Sequence, residues 1–222
     1  MITRRTFLGY SLSSLAEKYL PKSKNLIYTF DDVPFNKKGM INFVEILKQN
    51  HCKSQFYLTG KGIKEIPDSV EYLIDQGYSV GWHSMNHDVM SYKNDKEFLK
   101  DIIQWKSLLK EVSPNYEPKY ARFPYGLGKN SQIKILNEEG LNLQRCITNI
   151  RRTRNWDVDS IDWNPNLVRS AKDVKRRISK FHSNNPIILL FHLTLAKPLN
   201  FGSRKVLESL ITSDPDKFQK YC

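Results

Sequence analysis

The sequence predicts an α/β fold with a parallel sheet, either a barrel or an open doubly wound sheet. Short segments rich in β-branched and aromatic residues alternate along the chain with segments of helical periodicity. Such alternation is typical of parallel sheets, since a helix usually makes the crossover between two parallel strands. The 222 residues can form one full core, and the chain has neither an internal repeat nor a linker long enough to divide it.

The elements follow one another in strict order. The segments with strand character are NLIYTF (25–30), SQFYLTG (54–60), YSVGW (78–82), PKYARF (118–123), LNLQRCI (141–147) and PIILLF (186–191). The segments with helical character are GMINFVEILKQN (39–50), IPDSVEYLIDQG (66–77), NDKEFLKDIIQWKSLLKEV (94–112), NSQIKILNEEG (130–140), SAKDVKRRISKFH (170–182) and SRKVLESLIT (203–212). Asn94 is the predicted N-cap of the longest helix.

The first twenty residues differ from the rest. Arg4 and Arg5 precede a modestly apolar segment, 7–15, and Ala16 offers a small-residue cleavage site. We predict a twin-arginine export leader at 1–20 and one domain at 21–222, with the protein acting in the periplasm or cell envelope. The alternative is an amphipathic first helix on a cytoplasmic protein. The sequence after the leader contains no apolar run long enough to span a bilayer.

Charge and cysteine content restrict the partners. The formal net charge is +12, and no recognised nucleic-acid-binding motif accompanies it, so we do not expect nucleic acid as a partner. A solvated basic surface that favours anionic cell-surface polymers is the simpler interpretation. Cys52, Cys146 and Cys222 have no CxxC spacing, and whether Cys52 and Cys146 pair depends on the fold.

Residues suited to catalysis or binding recur at the predicted carboxyl ends of strands, where parallel barrels assemble active sites. In chain order they are Asp31, Asp32, His83, His87, Arg122, Tyr125, Asp162, Trp163 and His192.

The HSMNH segment suggests a metal site. On a helical turn, His83 and His87 would share one face, and a carboxylate such as Asp32 would complete a site with positions open to water. A divalent cation would also make two adjacent acids tolerable, with Asp31 near enough to accept a proton from water. The alternatives are two surface histidines and an exposed pair of acids in a turn.

Three further segments suggest proton transfer and substrate contact. Arg122 could offset the charge of Asp31, and the turn after it could direct a backbone N–H at an oxyanion. Asp162 could set the tautomer of His192, which would act as a general acid, and Trp163 could offer a flat face to a sugar. Individually these residues could instead be a plain turn, a satisfied core histidine and a core tryptophan.

Taken together, five ordered segments (TFDD, HSMNH, RFPYG, DVDSIDW and LLFH) resemble the polysaccharide deacetylase family, also called the NodB-homology domain or carbohydrate esterase family four. The resemblance extends from about residue 25 to residue 194. It implies a distorted (β/α) barrel of about seven parallel strands and a metal-dependent hydrolase. The expected partner is an acetylated polysaccharide such as peptidoglycan or chitin, from which N-acetyl groups are removed.

By matching position, the resemblance implies a role for each residue. Asp31 would be the general base held by Arg122, and His192, oriented by Asp162, the general acid. The ligands of Zn²⁺, or of a similar cation such as Co²⁺, would be Asp32, His83 and His87. The backbone N–H of Tyr125 would complete the oxyanion hole, and Trp163 and Leu190 would line the acetyl pocket.

The sequence departs from the family pattern in a few places. Val33 replaces a common glycine, Asp88 a common proline, and Leu193 a frequent aspartate, and none of these changes removes a chemical role. Because no final apolar strand follows the last predicted helix, we expect an incompletely closed barrel. An O-acetyl esterase acting on xylan or another polymer, and a non-catalytic polysaccharide-binding module, are the alternative functions.

Overall fold

A computed structural model describes residues 26–88, 92, 94–143, 147–149, 152–164, 167, 170–181, 185–193, 207 and 210. The predicted leader, Cys146, Cys222 and most of the last predicted helix lie outside these residues. The strands are β1 (Leu26–Asp32), β2 (Ser54–Leu58), β3 (Ser79–Trp82), β4 (Tyr120–Ala121), β5 (Asn142–Leu143), β6 (Ile147–Asn149), β7 (Arg152–Arg154), β8 (Val158–Asp159) and β9 (Ile187–Leu193). The helices are α1 (Lys37–Gln49), α2 (Gly60–Glu65), α3 (Pro67–Asp75), α4 (Asp95–Val112), α5 (Asn130–Glu138) and α6 (Ala171–Ile178).

The main sheet is parallel throughout and curls into a half-barrel. Its seven strands lie in the order β5-β4-β3-β2-β1-β9-β8, and β6 and β7 form a separate antiparallel pair. Within the described residues, the prediction of a distorted, incompletely closed barrel of about seven parallel strands is confirmed. β1 lies inside the sheet, with β2 on one side and β9 on the other.

The helices bury the apolar faces that their periodicity predicts. α1 buries Met40, Phe43, Val44 and Leu47 against the sheet core. α4 begins where predicted, because the Asn94 side chain accepts a hydrogen bond from the Glu97 amide. The last predicted helix is described at two residues only, Leu207 and Leu210, both helical and buried.

The structure differs from the sequence prediction locally, and the short strands β7 and β8 were not predicted. Residues 60–65 form the short helix α2, because the Thr59 side chain caps the Gly62 amide. The predicted strand at 141–147 is two short strands, β5 and the start of β6, which belong to different sheets. Residues 84–86 form a turn rather than a regular helical turn, since Ser84 and His87 both have left-handed φ angles, 61° and 58°.

Among the described residues, no helix is both long and apolar enough to cross a membrane. Cys52 is buried in the core. Cys146, its candidate partner, lies outside the described residues.

Candidate active site

Two adjacent acids end strand β1 and face the same site. Asp31 and Asp32 are the last residues of β1, and strict alternation along a strand would send their side chains to opposite faces. Asp32 instead has a φ of 86°, a left-handed angle that breaks the alternation. As a result, Asp31 Oδ2 lies 3.7 Å and Asp32 Oδ1 lies 3.5 Å from the same atom, His83 Nε2.

A buried ion pair balances the charge of Asp31. Arg122 follows β4 directly, and its Nη1 donates to Asp31 Oδ1 over 2.7 Å. Both side chains are almost wholly buried, at 0% and 3% exposure, so the pair is strong only if the other donors of the guanidinium are also satisfied.

Three residues that the sequence analysis missed surround the guanidinium, and two of them accept hydrogen bonds from it. Thr29 Oγ1 accepts from Arg122 Nη1 over 2.7 Å and donates to the Leu189 carbonyl over 2.6 Å. Asn155 accepts twice, from Nε through its side chain and from Nη2 through its backbone carbonyl. The guanidinium also lies 4.2 Å above the ring of Tyr57, whose pKa burial raises well above its usual value. Thr29 carried one available signal, since it stands two residues before Asp31 on the same face of a strand.

Asp32, His83 and His87 offer three ligand atoms within 4.8 Å of one another. Asp32 Oδ1 lies 3.5 Å from His83 Nε2 and 3.3 Å from His87 Nε2. His83 Nδ1 is 2.9 Å from the Arg122 carbonyl, which can only accept, so Nδ1 donates in this contact. In the neutral tautomer with this hydrogen bond, Nε2 holds the lone pair that a metal ion would take. Backbone carbonyls orient metal-binding histidines in this way.

The electrostatics favour the ligand forms of Asp32 and His87. Burial raises the pKa of Asp32, but the neighbouring imidazoles, His83 foremost, outweigh it and hold that pKa below its usual value. Burial and the proximity of His83 lower the pKa of His87, against the opposing charge of Asp32. At neutral pH, Asp32 is therefore a carboxylate and His87 a neutral imidazole.

These residues fit a divalent cation. Asp32 Oδ1 and His83 Nε2 are buried and have no hydrogen-bond partner, which is costly for polar atoms unless another group occupies the space between them. Two ligands about 2.1 Å from zinc at a tetrahedral angle lie about 3.4 Å apart, close to the spacings of 3.3 and 3.5 Å observed here. Two imidazoles and one carboxylate are a common ligand set for catalytic zinc.

His192 and Asp162 form a second ordered pair. His192 lies on β9 opposite Asp31 in the strand register, and its Nδ1 is 2.7 Å from Asp162 Oδ1. Asp162 Oδ2 also accepts from the His192 amide over 2.9 Å, so one carboxylate holds both the ring and the backbone. Burial lowers the pKa of His192, but the hydrogen bond and charge of Asp162, with the charges of Asp31 and Asp32, raise it to about 9.

The residues expected to contact substrate differ in exposure. Tyr125 is 63% and Trp163 is 54% exposed, whereas Leu190 is buried in β9. The Tyr125 ring packs edge-on against His87 at 4.6 Å between centroids, so the Pro124–Gly126 turn lies next to one of the three candidate ligands.

Left-handed backbone angles concentrate around this site. Among the described residues, six that are not glycine have positive φ, and five of them belong to the site segments. These five are Asp32, Ser84, His87, Tyr125 and Ile161. Such angles are unfavourable for most residues, above all for a β-branched one such as Ile161, and they occur most often at functional sites.

The family model described as polysaccharide deacetylase matches residues 18–143, more than half of the chain. The chain is 32% identical over 148 residues to a peptidoglycan-N-acetylglucosamine deacetylase of Bacillus cereus. That alignment covers 66% of this chain and 50% of the relative. The chain spans about half the length of the first curated relatives that it matches.

Solved structures resemble the fold over most of the chain. The Bc1960 peptidoglycan N-acetylglucosamine deacetylase aligns with a TM-score of 0.66 at 26% identity, covering 90% of this chain and 89% of that one. A pseudoenzyme of carbohydrate esterase family four from Bacillus anthracis aligns with a TM-score of 0.65 at 22% identity, covering 86% and 60%. This second likeness shows the fold alone. On the family match, the chain belongs to the polysaccharide deacetylase family.

Proposed function

We propose that this protein is a metal-dependent N-deacetylase that removes acetyl groups from an N-acetylglucosamine-containing polysaccharide. The observation that carries the proposal is the approach of both Asp31 and Asp32 to His83 Nε2. It puts a proton acceptor beside three atoms suited to hold a cation.

Asp32, His83 and His87 would hold the cation, with Zn²⁺ the first candidate and Co²⁺ or a similar ion the alternative. When bound, such a cation acts as a Lewis acid: it lowers the pKa of water and polarises a carbonyl oxygen.

Asp31 would act as the general base. Its Oδ1 is held by Arg122, while Oδ2 faces the imidazole side, where it can take a proton from the attacking water. Arg122 thus orients the base, and Asn155 and Thr29 orient Arg122 in turn.

His192 would act as the general acid. Because its pKa is raised to about 9, the ring is protonated at neutral pH, and Nδ1 is engaged with Asp162. Nε2–H can then protonate the departing amine as the carbon–nitrogen bond breaks. The oxygen of water ends in acetate, and the sugar keeps a free amine.

The remaining roles concern the substrate. The backbone N–H of Tyr125 would donate to the oxyanion, and Trp163 and Leu190 would line the acetyl pocket. Since the curated relative above is named for peptidoglycan, we propose a cell-envelope polymer as substrate. This location fits the proposed leader at 1–20, followed by the deacetylase domain at 21–222.

The test is acetate release from N-acetylglucosamine oligomers and from peptidoglycan, with and without chelation and zinc. We expect chelation and Asp31→Asn each to abolish release, whereas Asp95→Asn, which changes an exposed acid on α4, should leave it intact. Full activity of Asp31→Asn would reject the mechanism. Release from acetylated xylan alone would favour the esterase, and tight polymer binding without turnover at any zinc loading would favour a binding module.

A further inference from the structure

The turn that carries the two histidines is clamped by two helices. On one side, the carbonyls of Ser84 and Met85 accept from the first two amides of α2, those of Gly60 (2.9 Å) and Lys61 (2.8 Å). The approach is so close that a Cβ on Gly60 would lie 2.2 Å from the Met85 sulfur. The carbonyls of Ser84 and Met85 are therefore satisfied by α2.

On the other side, a single carboxylate of α4 holds the turn. Asp101 Oδ2 accepts from the Met85 amide over 2.9 Å and from the Tyr92 hydroxyl over 2.7 Å. Asp101 Oδ1 accepts from Trp82 Nε1 over 2.9 Å. Asp101 thus contacts Trp82, which immediately precedes His83, and Met85, which lies midway between His83 and His87.

We propose that Asp101 is a positioning residue for the metal ligands, and that it preorganises the 83–87 turn for the cation. The turn needs such support because Ser84 and His87 adopt left-handed angles that no regular helix would stabilise. A carboxylate suits the position because all three of its partners are donors and it can only accept. The inference rests on the metal site proposed above but not on the deacetylation reaction.

The experiment is a zinc titration of the full chain, by competition with a chromophoric chelator, at a temperature where circular dichroism shows each variant folded. We expect Asp101→Asn to weaken zinc binding roughly tenfold, since the amide group would present an N–H to a donor. The matched control is Asp95→Asn on the same helix, which should bind zinc like the wild type.

A second variant covers the case in which Asp101→Asn fails to fold. Tyr92→Phe removes one donor to the same oxygen, and we expect about threefold weaker zinc binding. Unchanged affinity in folded Asp101→Asn would overturn the inference, as would unchanged affinity in Tyr92→Phe if Asp101→Asn does not fold. A wild type that binds no zinc would overturn the metal site itself, which is a different result.

Discussion

Asp31 and Asp32 are neighbours in the chain, yet different groups surround their two negative charges. Asp31 is paired with Arg122, whose guanidinium is bound by further groups of the protein. Asp32 has a buried oxygen without a hydrogen-bond partner, and it faces two imidazole nitrogens instead of a cationic side chain.

The difference separates two kinds of site. On the Asp31 side (Asp31, Arg122, Thr29 and Asn155), the protein itself supplies the cation that balances the carboxylate and the groups that bind this cation. On the Asp32 side (Asp32, His83 and His87), the buried atoms of Asp32 and His83 that lack a hydrogen-bond partner are compensated only if another group binds between them. The first side should therefore govern stability, and the second should govern the response to added metal.

The largest expected effect comes from breaking the ion pair. Arg122→Met would leave Asp31 buried without its cation, and we expect a loss of roughly 3–5 kcal/mol in the free energy of unfolding. Urea denaturation measures it. Lys110→Met, which removes an exposed ion pair with Glu117, is the matched control and should change little. Equal stability of the two variants would contradict the distinction between the sides.

The pH dependence tests the Asp162–His192 pair. Because the pKa of His192 rises from 6.5 to about 9 on folding, its protonated form stabilises the native state. Its contribution to the free energy of unfolding, on the order of 3 kcal/mol, is fully present below about pH 6.5 and is lost as the pH rises through about 9.

Urea denaturation of the chelated protein across that pH range measures this effect. Asp162→Asn should reduce the slope of the free energy of unfolding against pH, since it removes the main group that raises the pKa of His192. A slope that is identical in the wild type and in Asp162→Asn would show that another group is responsible.

Added zinc should act on the Asp32 side alone. At a free zinc concentration about one hundred times the Kd, binding should stabilise the wild type by about 2.7 kcal/mol, visible as a rise in Tm. His87→Ala should lose most of this rise, because it removes one of the three ligand atoms. His51→Asn, which changes an exposed histidine away from the site, should keep it, and an equal loss in both variants would point to non-specific binding.

The smallest expected effect concerns the support of Arg122. Thr29→Val keeps the shape of the side chain but removes the hydroxyl between Arg122 and the Leu189 carbonyl. We therefore expect the free energy of unfolding to fall by about 1 kcal/mol. Urea denaturation again measures it. The metal response should be unchanged, and a weakened zinc response would mean that the two sides are coupled.

The likeness to a pseudoenzyme of the same fold shows why these side chains matter more than the architecture. A fold alone does not determine activity, which depends on the groups that the site brings together. Here the described residues include both proposed proton-transfer pairs and all three proposed ligands, Asp31 with Arg122, Asp162 with His192, and Asp32 with His83 and His87.

The sequence by itself determined the parallel α/β class, most helices and strands, and the residue types available at the strand ends. These features depend on local periodicity and capping, as in α1 and at Asn94, which short segments contain in full. The ordered segments also led to the family, because their residue types and order are visible without any contact between them.

Only the tertiary structure decided which groups surround each acid. Arg122 is 91 residues from Asp31, and Asn155 lies another 33 residues beyond Arg122, so no local pattern could pair them. The left-handed angle that turns Asp32 toward His83, and the hold of Asp101 on Met85, depend on packing between β1, β3 and α4. Local sequence specifies the helices and strands. Contacts between distant segments determine which partners each buried group has, and those partners set its charge state.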